Sequence, residues 1–206
     1  ITREHFDACE KYMDFLHRIG GPRPTYGDWL CYENTDPAFI CLCYYAIDAL
    51  FMAEYARSLA GRGRVRTCER RKNDNSCPDG VQSADFYSAR AAYYDGVWSG
   101  LKEKFFRLFI KQENGEQKLG FSSQTACLLA LRAGFADKEL AGKIKEVLRD
   151  NITGAGYRLS TGFVGTGLLL TTLDDAGMED LCYDLLLQTK EPSWLGCVLA
   201  GATTVW

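Results

Sequence analysis

Four short segments carry the residue types that could do chemistry. Leu159 to Thr166 reads Leu-Ser-Thr-Gly-Phe-Val-Gly-Thr and Gly201 to Trp206 reads Gly-Ala-Thr-Thr-Val-Trp, so each sets hydroxyls and small residues beside an aromatic ring. Gly27-Asp28-Trp29 and Pro192-Ser193-Trp194 place two more tryptophans in comparable surroundings. Aromatic faces beside hydroxyls and a few carboxylates suit a neutral polyhydroxylated ligand, whose C–H faces pack on rings while its hydroxyls meet polar groups. The candidate ligand-binding residues are therefore Asp28, Trp29, Phe163 and Trp194. Three of them have a structural alternative: Trp29 and Trp194 as apolar plugs at a barrel end, and Asp28 as a cap or turn residue.

Other chemistries find little support. No nucleophile elbow, P-loop, dinucleotide fingerprint or HExxH motif occurs. Gly154-x-Gly156 and Gly162-x-x-Gly165-x-Gly167 are glycine-rich, yet no predicted strand precedes them, so they make a poor phosphate cradle. Cys41-x-Cys43 is too tight for the usual zinc spacing and His5 and His17 lie far off, so neither a metal nor a cofactor is expected. Glycosidic cleavage asks for two carboxyl groups roughly 5 to 9.5 Å apart, and no convincing pair assembles here. Asp174 and Asp175 fall late in an apolar helix, and Glu54 reads as a satisfied interior carboxylate.

The elements that must position these loops are helices. Apolar groups at Phe6, Cys9, Met13 and Leu16 stripe a helix over 2–19 that ends at Gly20-Gly21-Pro22. Similar stripes run over 84–110, around Leu140, Ile144 and Leu148, and through Leu181, Leu185 and Leu186. Between them lie segments apolar nearly all round, at about 38–60, 122–133 and 167–176, which predicts helices buried on most sides. Striped helices alternating with all-round apolar ones fit an inner ring wrapped by an outer ring, an all-α helical barrel. The connections into the apolar helices are long and carry Gly and aromatics, so they are expected to gather on one side as a site. Residues 61–83, rich in Arg, Asn, Asp and Gly, read as a polar insertion; their basic cluster lacks the interleaved aromatics of a nucleic-acid platform.

The totals narrow the class. At 206 residues, one domain with a sizeable core is expected. A net charge of -3 gives no reason to expect nucleic acid or an anionic membrane as partner, and no apolar run reads as long enough to span a bilayer. Nine cysteines, several inside apolar helices, read as reduced thiols and point to the cytoplasm, although Cys68 and Cys77 could pair across the polar loop. The start at Ile1 and the stop at Trp206 are expected of a fragment of a longer protein.

Several motifs come in the order of one family. Tyr26-Gly-Asp-Trp-Leu30, Met52-Ala-Glu54, Gln124-Thr-Ala126, Leu159 to Thr166, Asp180 to Gln188, Pro192-Ser-Trp194 and Gly201 to Trp206 together resemble bacterial α-L-rhamnosidases of glycoside hydrolase family 78. The resemblance covers nearly the whole chain apart from the insertion. It implies an (α/α)6 barrel, removal of terminal α-L-rhamnose from a glycoside or oligosaccharide by inversion, no metal, and a rhamnose-lining role for Trp29. It also implies that the general base directly follows Trp206 and that the general acid lies upstream of Gly27-Asp28-Trp29, so that no catalytic residue falls within 1–206. Two rivals remain: a carbohydrate-binding or scaffold helical domain without catalysis, and another (α/α)6 glycosidase. Half a barrel would expose apolar helix faces, so self-association is expected.

Overall fold

The computed structural model describes residues 3–23, 26–69 and 83–204, with side chains over 5–23, 26–61 and 83–204. It contains α1 (Arg3–Arg18), α2 (Pro37–Glu69), α3 (Ala84–Phe109), β1 (Ile110–Glu113), β2 (Glu116–Leu119), α4 (Gln124–Arg132), α5 (Lys138–Gly154), α6 (Phe163–Asp175), α7 (Glu179–Leu187) and α8 (Trp194–Leu199). Two compact units divide it: Ile1–Pro22 with Tyr45–Glu103, and Arg23–Tyr44 with Lys104–Trp206. Both α2 and α3 run through the two units.

Unit 1 is a three-helix packing. The α1 stripe of Phe6, Met13 and Leu16 is buried against Met52, Tyr55 and Leu59 of α2 and Tyr87 and Tyr94 of α3. Alanines at 49, 53, 56 and 60 give α2 a small-residue face that admits these large rings. Phe6 meets Tyr55 and Tyr87 edge-on, each at 5.3 Å. Arg90 of α3 pairs with Glu10 of α1, lies 3.8 Å from Asp14, and sits 4.4 Å from the Tyr93 ring centre.

Unit 2 is built around α4, whose residues Gln124 to Ala130 are all buried. Ser123 caps α4 by accepting from the Ala126 N–H, and Asp137 caps α5 by accepting from the Leu140 N–H. Leu140, Ile144, Leu148 and Ile152, four apart, form the buried face of α5. Phe39, Phe105, Phe109, Phe121 and Phe135 make an aromatic cluster in the same unit.

Several expectations need correction. Beside the expected helices the chain makes one hairpin among the described residues: φ of 54° and 83° at Asn114 and Gly115 gives the doubly left-handed turn that joins β1 to β2. The insertion does not begin at Gly61: α2 continues to Glu69, so the helical hydrogen-bond ladder outlasts the glycines read as breakers. Residues 70–82, with Cys77 and half of the basic cluster, lie outside the described residues, as do the side chains of 62–69, Cys68 among them. The reading that no segment is long and apolar enough for a bilayer also fails, since Pro37–Gly61 of α2 reaches that length and composition. Its most apolar stretch is 56% buried within the protein, as in the core helix of a folded domain. Glu54 is exposed on α2 rather than interior, because it shares the outward side with Phe51, Arg57 and Ser58. Finally, α6 begins at Phe163, not Gly167, and buries one face only, through Gly165, Leu169, Thr172 and Leu173. Apolar composition set the expectation of all-round burial; the described neighbours cover a single side.

Candidate functional site

The connections that precede α2, α4, α6 and α8 meet in unit 2 through hydrogen bonds. Thr35 and Ser123 share a hydroxyl–hydroxyl bond of 2.6 Å, joining the first connection to the second. The Ser160 carbonyl accepts from the Tyr32 and Glu33 N–H groups at 3.0 and 3.1 Å, joining the first to the third. The Leu159 N–H donates to the Pro192 carbonyl at 3.0 Å, joining the third to the fourth. The long connections therefore gather as expected.

Asp28 is the knot of this assembly. It is 3% exposed, and both carboxylate oxygens are occupied. Oδ2 accepts from the Gly162 N–H at 2.8 Å and from the Thr125 hydroxyl; Oδ1 accepts from the Val164 N–H at 2.8 Å and the Gly165 N–H at 3.3 Å. The Trp29 carbonyl takes the remaining amide, that of Phe163, at 3.0 Å. Gly162, the N-cap of α6, has no side chain to cap the helix, so Asp28-Trp29 caps it from 134 residues away. A negative charge at that end also meets the positive pole of the helix. The cap alternative thus describes the contacts Asp28 makes: its oxygens accept from protein donors, and it positions its neighbours.

The approach is close enough to select glycine twice. A Cβ at Gly162 would collide with the Asp28 and Trp29 carbonyls, and one at Gly165 with Thr125 Oγ1 and Thr161. These glycines serve helix-to-loop contact, which accounts for the Gly162-x-x-Gly165 spacing without a phosphate.

Held this way, the aromatic residues face outward. Trp29 is 61% exposed and Phe163 69%, and their rings stack at 5.6 Å with planes 19° apart. Trp29 lies on the surface of this chain where the loop turns at Leu30, whose φ of 62° is left-handed and rare for a bulky residue. Trp194 does not join this pair in the same way: it is half-buried and opens α8, after Ser193 has capped that helix by accepting from the Gly196 N–H. Of the four candidates, the structure brings Asp28, Trp29 and Phe163 together and sets Trp194 on the adjoining connection. Val205 and Trp206 lie outside the described residues.

Sequence reasoning missed the residues that hold the loops. The Gln124 side-chain amide donates to the Arg158 carbonyl and accepts from the Ser160 N–H, each at 3.1 Å. Glu33 accepts from Asn151 Nδ2 at 2.9 Å and from the Ser160 hydroxyl at 3.1 Å. The available signal was Gln124-Thr125 opening an otherwise apolar helix, since polar side chains buried there must find partners. Cys31, beside the knot, has its thiol pushed up by burial and then by the Asp28 carboxylate, which disfavours a thiolate nucleophile. Among the described residues, no group of three or more His, Cys, Asp or Glu could hold a metal ion.

Comparison with known proteins places this geometry. The family model described as the bacterial alpha-L-rhamnosidase 6 hairpin glycosidase domain matches residues 1–206. An alpha-L-rhamnosidase of Formosa agariphila is 37% identical over 115 residues, 56% of this chain and 12% of that protein. One of Streptomyces avermitilis is 28% identical over 198 residues, 96% of this chain and 16% of that protein. The chain thus spans only a small part of these relatives. The crystal structure of the S. avermitilis alpha-L-rhamnosidase complexed with L-rhamnose matches 98% of this chain and 17% of its own, with a TM-score of 0.73 at 24% identity. That of the Aspergillus terreus enzyme matches 98% of this chain and 22% of its own, with a TM-score of 0.76 at 24% identity. The fold is accordingly predominantly α-helical, of the (α/α)6 type and consistent with part of such a barrel. The chain belongs to the bacterial α-L-rhamnosidase six-hairpin glycosidase family.

Proposed function

We propose that this chain is one wall of an inverting α-L-rhamnosidase that removes terminal α-L-rhamnose from glycosides or oligosaccharides. The observation that supports this best is the outward-facing Trp29–Phe163 stack on a loop fixed by Asp28. A sugar's C–H face packs on the free side of such a stack, with Trp194 on the adjoining connection completing the wall. Inversion needs a general acid to protonate the departing oxygen and a general base to take a proton from the attacking water. On this reading the base directly follows Trp206 and the acid lies upstream of Gly27-Asp28-Trp29. Asp28 substitutes for neither, since both of its oxygens are engaged.

Residues 1–206 alone should therefore not hydrolyse an aryl α-L-rhamnoside, while the full-length protein should, releasing the inverted sugar by NMR. In the full-length protein, Trp29→Ala should lower kcat/KM roughly 10- to 100-fold, the equivalent of about 1.4–2.7 kcal/mol of lost packing. Turnover by 1–206, or a Trp29→Ala protein indistinguishable from wild type, would sink the reading. Tyr183, Leu187, Val198 and Leu199 are exposed on α7 and α8, which supports self-association of the isolated chain. A monodisperse monomer in sedimentation would count against it.

A further inference from the structure

A cleft of about 230 Å³ opens in unit 2 at Glu33, on the same connection that carries Trp29. Asn34 and Asp36 line it from the first connection, Phe121 and Ser122 from the second, and Phe39, 1% exposed, gives it an apolar wall. The Thr35–Ser123 hydroxyl bond ties the two sides together, so the cleft is held open by the same contacts that gather the loops. Glu33 belongs to both places: it lines the cleft, and its carboxylate takes the Ser160 hydroxyl on the connection that leads to Phe163. Trp29 and Glu33 are four residues apart, so their Cα atoms are separated by at most about 14 Å, a distance one short oligosaccharide can bridge.

We propose that this cleft binds the sugar on the leaving-group side of the scissile bond, and that it selects a neutral sugar over an acidic one. The inference rests on the rhamnosidase reading. Three features of the cleft argue for it. Its volume is below the roughly 300–1,000 Å³ of sites for drug-sized ligands, which suits a single ring. An aromatic wall facing an amide and a hydroxyl offers a sugar both an apolar face and hydrogen bonds. Its ionisable lining is Glu33 and Asp36, with no Lys, Arg or His among the described lining residues, so hydroxyl donors are welcomed and a uronate or sulfate is repelled.

The test uses the full-length protein with three substrates: an aryl α-L-rhamnoside, a rhamnosyl-glucose disaccharide and a rhamnosyl-uronate. Asn34 and Ser122 are exposed, so Asn34→Ala and Ser122→Ala should fold, and either one suffices. Each should lower the ratio of kcat/KM for the disaccharide to that for the aryl rhamnoside by roughly fivefold, the effect of one lost hydrogen bond, mainly through KM. Asp36 also accepts from the Ala38 N–H at 2.8 Å at the start of α2, a bond that Asn preserves. Asp36→Asn should raise uronate turnover relative to the neutral disaccharide. A ratio unmoved in both alanine variants, or a wild-type preference for the uronate, overturns the cleft assignment and leaves the rhamnosidase reading standing. Failure of the full-length protein to cleave any of the three overturns both.

Discussion

Asp28 in unit 2 is held by N–H and O–H dipoles, whereas Arg90 in unit 1 is held by opposite charges. Asp28 is almost fully buried, and three of its four donors are amides at one helix end. Arg90 and Glu10 stay partly exposed, at 23% and 17%, and the Arg90 guanidinium leans on the Tyr93 and Tyr94 rings. The difference teaches what each is for. An ion pair between two helices tolerates play, because charges attract over several ångströms. A carboxylate shared among fixed amides does not, because hydrogen bonds weaken steeply off-axis. The second device is suited to aim Trp29; the first only needs to keep α1 against α3.

The largest effect that sharpens this contrast should come from Asp28→Ala. It strands two buried amides, the part-buried Val164 amide and the Thr125 hydroxyl, at a cost of about 3 kcal/mol. Urea melts should show it at low and high salt alike, with Trp29 fluorescence perturbed before the main transition. Next comes Gly162→Ala, which forces the loop off α6 by the collision with the Asp28 and Trp29 carbonyls, costing about 2 kcal/mol. Loss of the Trp29–Phe163 stack should appear in near-UV circular dichroism. Arg90→Met keeps the apolar stem but leaves Glu10 half-buried and unpaired, costing about 1–2 kcal/mol. Unlike the Asp28 effect, this one should shrink in high salt. Equal salt dependence of the two would break the comparison.

Legibility in the sequence follows the same division. Stripes such as Phe6, Met13 and Leu16, or Leu140, Ile144 and Leu148, were readable because helical periodicity is local, and so was the burial of α4. The strands beside Asn114-Gly115 were not, since Lys111 to Glu113 and Glu116 to Lys118 are polar on both faces and only Ile110 and Leu119 hint at a ladder. Six residues in α8 are too few to show a period. Trp29 and Phe163 were readable as ligand-type residues, but not their stack. That depends on Asp28 reaching a helix 134 residues on, and no local pattern carries such a distance. The exposure of Glu54 was hidden because the apolar run around it looks alike from every side.

The smallest effect tests whether unit 1 has its own misplaced carboxylate. Asp48 of α2 is half-buried, and burial pushes its carboxyl above the ordinary aspartate range; Tyr12 on α1 is pushed up by burial and then by the Asp48 charge. A carboxyl raised in the folded state binds more protons there than in the unfolded chain. Stability attributable to it is therefore present at acid pH and lost as pH climbs from the ordinary aspartate range through the raised value. Asp48→Asn removes that loss. It should raise Tm at neutral pH, with the gain fading as pH falls towards about 4, whereas Asp28→Asn should lower Tm at neutral pH because Asn offers one acceptor oxygen where the helix end uses two. A fall in Tm with Asp48→Asn at neutral pH would show that this carboxylate is satisfied in its charged form, and would put it in the same class as Asp28.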